Sequence, residues 1–192
     1  MADLIIIFGP PASGKAAIGT ALSEVTNFRL FHNHMTADVG ASIFGWGTPE
    51  YTEAVSEIRL SLLRRAAENK ALPSIIFTFV WAFDVVSDGK FIEKLVQMFE
   101  GYGEKVYFVE LLASLKARLA REGTPLRVAL KPSKRNIEAA RSLHYGEYSE
   151  HTMNSSGEFA YPERHLIIDT EKQNTYESAQ QICKQFHFIQ RG

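Results

Sequence analysis

Two glycines and a lysine stand at a spacing that chemistry can use: Gly9-Pro10-Pro11-Ala12-Ser13-Gly14-Lys15 fits G-x-x-x-x-G-K. Glycines let a loop turn tightly enough for successive backbone N–H groups to face one anion, and the lysine adds a charge on a long stem. Together they suit the cradling of a polyphosphate. The surroundings fit that use. Leu4-Ile5-Ile6-Ile7-Phe8 is a short, β-branched apolar run that reads as a strand buried on both faces, ending where the loop begins. After the loop, Ile18, Ala21, Leu22 and Val25 recur at helical spacing. A helix starting there adds unpaired amides and the positive end of its dipole. The candidate phosphate contacts are therefore Gly9, Pro10, Pro11, Ala12, Ser13, Gly14, Lys15, Ala16 and Ala17, with Lys15 bridging the β- and γ-phosphates.

The last position of the pattern departs from it. A Ser or Thr there gives a hydroxyl to Mg²⁺, and Ala16 has none. Three accounts stand side by side: water and other residues hold the metal, the protein binds nucleotide with little turnover, or Ala16 is a substitution in this sequence. A missing hydroxyl weakens metal positioning more than nucleotide binding, because Mg²⁺ keeps several waters and the phosphates still meet the amides.

The elements that must position these residues alternate between strand and helix. Phe28 to Phe31, Ile75 to Val80, Val106 to Leu111 and Leu166 to Ile168 read as four further strands. Helices are expected from Glu50 to Asn69, around Phe91, Leu95 and Met98, and around Tyr176, Ala179, Ile182 and Phe186. Five buried strands separated by helices imply an α/β three-layer fold with right-handed crossovers. Residues 33–70 and 115–160 are long, mostly helical excursions from that alternation. Lys116 to Arg135 holds seven basic residues against one acidic, Glu122, in a chain whose net charge is −1. That imbalance favours an anionic partner, with a solvated helix face as the plainer reading.

With these elements in place, the chain resembles the shikimate-kinase-like and adenylate-kinase-like P-loop phosphotransferases. The resemblance implies a single P-loop kinase-like domain over 1–192: a core (1–32, 71–114, 161–192), an acceptor-binding excursion (33–70) and a lid region (115–160). It implies a parallel sheet in the order 2-3-1-4-5, ATP and Mg²⁺ as cofactors, and transfer of the γ-phosphoryl group to a hydroxyl of a small molecule. A nucleotide-binding module or pseudokinase is the alternative. Arg121 and Arg127 look like the lid arginines that close on the phosphates; Arg118 is similar in position or simply solvates its helix. Arg59 is similar in place to the arginine that shikimate kinases turn to a substrate carboxylate, with ordinary surface charge as the other reading. Asp169 to Asn174 sits where the family wraps the adenine.

Where shikimate kinases carry Asp-x-Asp at the end of the second strand, this chain has His32-Asn33-His34. An imidazole, with a pKa near neutrality, suits a general base. Alternation along an extended chain puts His32 and His34 on one face and Asn33 on the other, with His34 nearer the carboxyl end where open α/β sheets bind ligands. Hydrogen-bonded structural histidines are the competing reading, and a two-histidine metal site is a third, without an adjacent carboxylate or Cys to complete it. His32, Asn33, His34 and Arg59 are thus candidate substrate contacts. So is Asp84, which follows the third strand within Trp81-Ala82-Phe83-Asp84 and could meet a metal-bound water or the acceptor. Trp81 and Phe83 stand where shikimate kinases have a glycine-rich turn and reshape the acceptor pocket, which argues against shikimate itself; aromatic residues at 79, 81 and 83 otherwise read as core.

Composition removes other classes. At 192 residues the chain is long enough for one domain with its own core, and 45% hydrophobic with 22% charged is an ordinary globular balance. The single Cys183 cannot form an internal disulfide or complete a zinc or iron–sulfur site, and it fits a reducing cytoplasm. No apolar run approaches the roughly 18 residues of a membrane span, and Met1 to Phe8 lacks the basic start of a signal peptide. Near-neutral charge argues against a general nucleic-acid binder. A nucleotide and a small-molecule acceptor are the expected partners.

Overall fold

The computed structural model describes residues 2–122, 138, 142 and 150–191. Five strands, β1 (Leu4–Phe8), β2 (Arg29–Phe31), β3 (Ile75–Phe79), β4 (Val106–Leu112) and β5 (His165–Asp169), form one parallel sheet in the order β2-β3-β1-β4-β5. Each expected strand is present, with ends shifted by a residue or two, and the order is the expected one. The helices are α1 (Lys15–Val25), α2 (His34–Phe44), α3 (Pro49–Glu68), α4 (Val86–Gly101), α5 (Leu115–Arg121) and α6 (Thr175–Phe186).

β1 explains the layering. All five of its residues are buried, as a central parallel strand requires. Its odd positions, Ile5 and Ile7, pack with Ile18 and Leu22 of α1 and Ile182 of α6. Its even positions, Leu4, Ile6 and Phe8, pack with Leu63 of α3 and Leu95 and Phe99 of α4. Period two in the strand thus assigns one helical layer to each face.

Local chemistry fixes the helix starts. Thr48 caps α3 through its side chain, with Pro49 in the first helical turn, where a missing N–H costs nothing. Asn174 and Glu177 form a reciprocal capping box at the start of α6. Two helices fill the 33–70 excursion, joined by a turn in which Gly45 and Gly47 have φ of +77° and +78°. In the 115–160 region α5 leads out of the core, and residues 150–160 return to a short 3₁₀ turn (Pro162–Arg164) before β5. No described helix is long and apolar enough to cross a membrane.

The α4 layer gives a direct check on this packing. Phe99 is fully buried, and Phe99→Ala is expected to lower stability by about 3–5 kcal/mol in urea unfolding; a loss below about 1 kcal/mol would mean that α4 does not close the core.

Candidate functional site

The loop between β1 and α1 is shaped by backbone geometry that only some residues tolerate. Gly9 has φ of +137°, and a Cβ there would fall 2.5 Å from the carbonyl oxygen of Leu111. Ala12 takes a left-handed φ of +62°, and Gly14, at +104°, is the N-cap of α1. Ser13 N–H donates to the Pro10 carbonyl at 3.2 Å, closing the turn. The Ser13 hydroxyl is buried with no hydrogen-bond partner among the described residues. Lys15, only 7% exposed, curls back so that its ammonium donates to the carbonyls of Gly9 and Pro10, each at 2.7 Å. A buried ammonium, the first amides of α1 and a tight turn converge on one spot, and this set fits a polyphosphate.

The same loop does not fit a directly ligated Mg²⁺ at the usual place. Ala16 is buried and offers no oxygen from its side chain. Thr20, the next hydroxyl along α1, donates to the Ala16 carbonyl at 3.0 Å. No group of three His, Cys, Asp or Glu side chains stands ready for a metal among the described residues.

At the end of β2 the structure corrects the expected alternation of His32 and His34. β2 stops at Phe31, Asn33 is already in the right-handed helical region, and α2 begins at His34. The segment is therefore a strand-to-helix turn, and a period of two does not apply. Asn33 N–H donates to the Thr78 hydroxyl at 3.0 Å. Thr78 is level with Ile7 in the sheet, so this turn lies beside the phosphate loop at the carboxyl end of the strands. His34 Nδ1 is 3.5 Å from Asp38 Oδ1, one helical turn on. The Trp46 ring lies 6.3 Å from His34 and 5.2 Å from Tyr51.

Arg59 comes up from α3 into this group. Its Nε donates to the Thr36 hydroxyl at 2.9 Å and its Nη2 to the Asn33 carbonyl at 3.5 Å. Among the described residues it has no carboxylate at ion-pair distance. Burial lowers its pKa to about 10, while Tyr51 and Asp88 pull the other way. It stays protonated at neutral pH, a sequestered cation on neutral oxygens. Burial also raises the Asp88 carboxyl, against the hydrogen bond from Ala82 N–H and the attraction of His151 and Arg59.

Asp84 is used differently from the expectation. Its Oδ2 meets His151 Nδ1 at 2.8 Å and its Oδ1 accepts from Thr152 N–H at 2.8 Å, and these bonds hold its pKa below the usual carboxylate range. Phe83 N–H donates to the Thr152 carbonyl at 2.8 Å. Residues 151–155 thus run as a strap from the end of β3 to the end of β4. There Glu110, with no exposed surface, accepts from Asn154 Nδ2 at 2.9 Å, Ser155 N–H at 2.8 Å and Ser155 Oγ at 2.6 Å. His165 Nε2 lies 3.0 Å from Oε2, the oxygen that also meets the Ser155 hydroxyl. Trp81 and Phe83 stack on each other at 4.5 Å and pack against Phe8 and Phe159 under the strap, so they are core.

The opposite wall of the loop is made by α5 and the β5–α6 turn. Glu171 accepts from the Ser114 N–H at 2.7 Å and hydroxyl at 3.1 Å, tying the turn to the start of α5. Arg121 donates to the Thr170 hydroxyl at 3.0 Å and carbonyl at 2.9 Å, and to the Ala12 carbonyl at 3.4 Å. It sits at the last residue of α5, at the seam between the loop and the stretch expected to meet a base. Arg127 lies outside the described residues.

The structure therefore brings Lys15, Arg121, His34, Asn33 and Arg59 to one end of the sheet and commits Asp84 to the strap. His32 lies beside them at the end of β2, half-buried. Asp38, Trp46 and Tyr51 were not among the residues that the sequence singled out. Asp38 could have been found as the fourth residue after His34, once a helix starts at His34. Glu110 was visible as a lone carboxylate in an apolar strand; its partners Asn154 and Ser155, more than 40 residues away, were not.

No protein-family model matches the sequence, and no curated protein matches it. Solved structures do. A candidate kinase from Chloroflexus aurantiacus superposes with a TM-score of 0.62 at 18% identity, covering 96% of this chain and 98% of that one. A gluconokinase from Sinorhizobium meliloti gives 0.60 at 15% identity, over 96% and 91% of the two chains. A shikimate kinase from Acinetobacter baumannii, solved with shikimate, gives 0.54 at 15% identity, over 97% and 94%. At this identity the likeness is one of fold, and the fold expected from the sequence, that of P-loop small-molecule kinases, is the fold found.

The electrostatics of Glu110 can be tested without a ligand. Burial pushes its pKa up, but the bonds from His165, Ser155 and Asn154 outweigh burial and hold it below the ordinary 4.5. A carboxylate depressed on folding stabilises the fold fully above its unfolded pKa, and that share is lost as pH falls through the folded value. Glu110→Gln is expected to cost about 3 kcal/mol at pH 7, and the difference from the parent should shrink below about pH 4.5. Urea unfolding at pH 7 and in that acid range checks both; an unchanged gap in acid would mean that the charge of Glu110 is not what holds the strap.

Proposed function

We propose that this protein moves the γ-phosphoryl group of ATP to a hydroxyl of a small molecule. The observation that carries the reading is that two cations, the buried Lys15 and the partly buried Arg59, flank the same end of the sheet, one in a glycine-rich strand-to-helix loop and the other on the turn beside it. In this reading the amides of residues 12–17 and the Lys15 ammonium hold the β- and γ-phosphates, with Lys15 exchanging two carbonyl partners for phosphate oxygens. Arg121, and Arg127 by resemblance, offset charge that builds on the transferring group. Phosphoryl transfer depends chiefly on such positioning and charge stabilisation. Arg59 gives the acceptor pocket a fixed positive charge, which favours a hydroxylated acceptor that also carries an anionic group. His32 and Asn33 border that pocket. His34 takes the acceptor's proton as the new P–O bond forms and the bond to the ADP oxygen breaks.

Mg²⁺ would accompany the nucleotide and draw charge from its phosphates. Because Ala16 gives no oxygen, the chain's own share in holding the metal is small. That same residue favours a second reading, a nucleotide-binding module with little turnover.

The test is an equilibrium titration of ATP with and without Mg²⁺. Micromolar binding is expected in both, and Lys15→Ala should weaken it by about 10- to 100-fold, the worth of charge-assisted hydrogen bonds. No binding in either condition would overturn the reading. With binding established, hydroxylated compounds bearing a carboxylate or phosphate should be phosphorylated in preference to neutral ones. Ala16→Ser should lower the Mg²⁺ concentration needed for half-maximal turnover while leaving the ATP dissociation constant within about twofold. If the parent binds ATP but phosphorylates nothing with or without this change, the binding-module reading stands instead.

A further inference from the structure

We infer that Asp38 is a positioning residue that holds the His34 imidazole as the proton acceptor for the incoming hydroxyl, so that the two side chains work as one base. The inference rests on the phosphotransferase reading above and concerns a residue to which that reading gives no role.

The geometry comes from the helix. His34 is the first residue of α2 and Asp38 lies one turn along, so both project from the same face. Their Nδ1 and Oδ1 atoms are 3.5 Å apart, with the His34 side chain 12% exposed and that of Asp38 37% exposed. This is a long contact of the kind that tightens when a site fills. Nδ1 is the buried ring nitrogen and the one nearer the carboxylate, at ion-pair distance but outside hydrogen-bond geometry. A proton kept on Nδ1 by that carboxylate leaves Nε2 with its lone pair, which is the form a general base needs. The Trp46 ring, 6.3 Å away, limits how far the imidazole can swing.

The charges around the pair explain why a carboxylate is needed. The N-terminus of α2 is the positive end of a helix and disfavours an imidazolium at its first residue. From α3, Arg59 adds a second positive charge nearby, held by Thr36 and Asn33 of the same turn, and Tyr51 is neutral at physiological pH, its pKa raised by burial. His32, at the end of β2, adds no negative charge. Without Asp38 the imidazole at position 34 would be a poor proton acceptor. With it, the proton taken from the acceptor oxygen comes to rest on Nε2 beside a compensating carboxylate. The acceptor oxygen bonds to the γ-phosphorus, ADP leaves with the bridging oxygen, and the imidazolium returns its proton to water.

The experiment uses the full chain, with ¹⁵N-labelled histidine followed by NMR through a pH titration, alongside steady-state kinetics on an acceptor found by the phosphorylation screen. In Asp38→Asn the His34 pKa should fall by about one pH unit, and the Nδ1–H tautomer should lose its dominance. kcat should fall by about tenfold or more with KM for ATP unchanged. Asp38→Glu should restore much of both. If Asp38→Asn leaves the pKa, the tautomer or kcat of an active parent unaltered, the pairing is wrong while the phosphotransferase reading survives. If the parent transfers no phosphoryl group, that reading fails and takes the catalytic use of the pair with it, whatever the NMR shows. Asp38 is partly exposed on a helix surface, so both variants should fold, and far-UV circular dichroism checks that they do.

Discussion

The approach of Gly9 to the Leu111 carbonyl is the constraint on which the site depends. β1 runs between β3 and β4 with Phe8 level with Phe79 and Glu110, so the chain leaving β1 must turn off the sheet within one residue of a neighbouring strand. A Cβ at 2.5 Å from that oxygen has no room. Glycine makes the turn possible, and the turn sets the start of α1 over the carboxyl end of the sheet, with Lys15 beneath it. Because β1 is central, the chains leaving β3 and β4 pass on opposite sides of this point. Open α/β sheets bind ligands at such a crevice.

Charge is then distributed in a way that keeps this crevice receptive to anions. Lys15 donates to the carbonyls of Gly9 and Pro10, and Arg59 donates to the Thr36 hydroxyl and the Asn33 carbonyl, neutral oxygens that a phosphate or carboxylate could replace. Two carboxylates of the same end, Asp84 and Glu110, are occupied by the strap. Had the buried Glu110 been turned to the cations, an incoming anion would have to displace a buried charge. The strap ties the end of β3 to β4 and engages both of these carboxylates.

What the sequence made legible follows the range of the interactions involved. The β1 run, the loop and α1 are contiguous, so their signals reinforce one another, and the sheet order followed from the resemblance that they supported. Arg59, marked by the resemblance alone, lies in the 20-residue α3 and meets Thr36 and Asn33 at the start of α2, contacts that no local pattern announces. The His32-Asn33-His34 alternation failed because β2 is three residues long and α2 starts without a side-chain cap, so nothing local announced the change of geometry. Asp84 read as a ligand because a carboxylate after a central strand so often is one. Its partners in the structure, His151 and Thr152, lie far along the chain within the 115–160 excursion, where one sequence offers no sign of what folds back on what.

The departure at position 16 bears on how the loop divides its work. The groups that would meet the phosphates are backbone amides and one lysine, and none depends on the side chain of residue 16. That side chain matters only to the metal, through one oxygen that water can replace. Where a nucleotide binds this loop, the missing hydroxyl would therefore act on the metal and leave the contacts of Gly9, Gly14 and Lys15 unchanged.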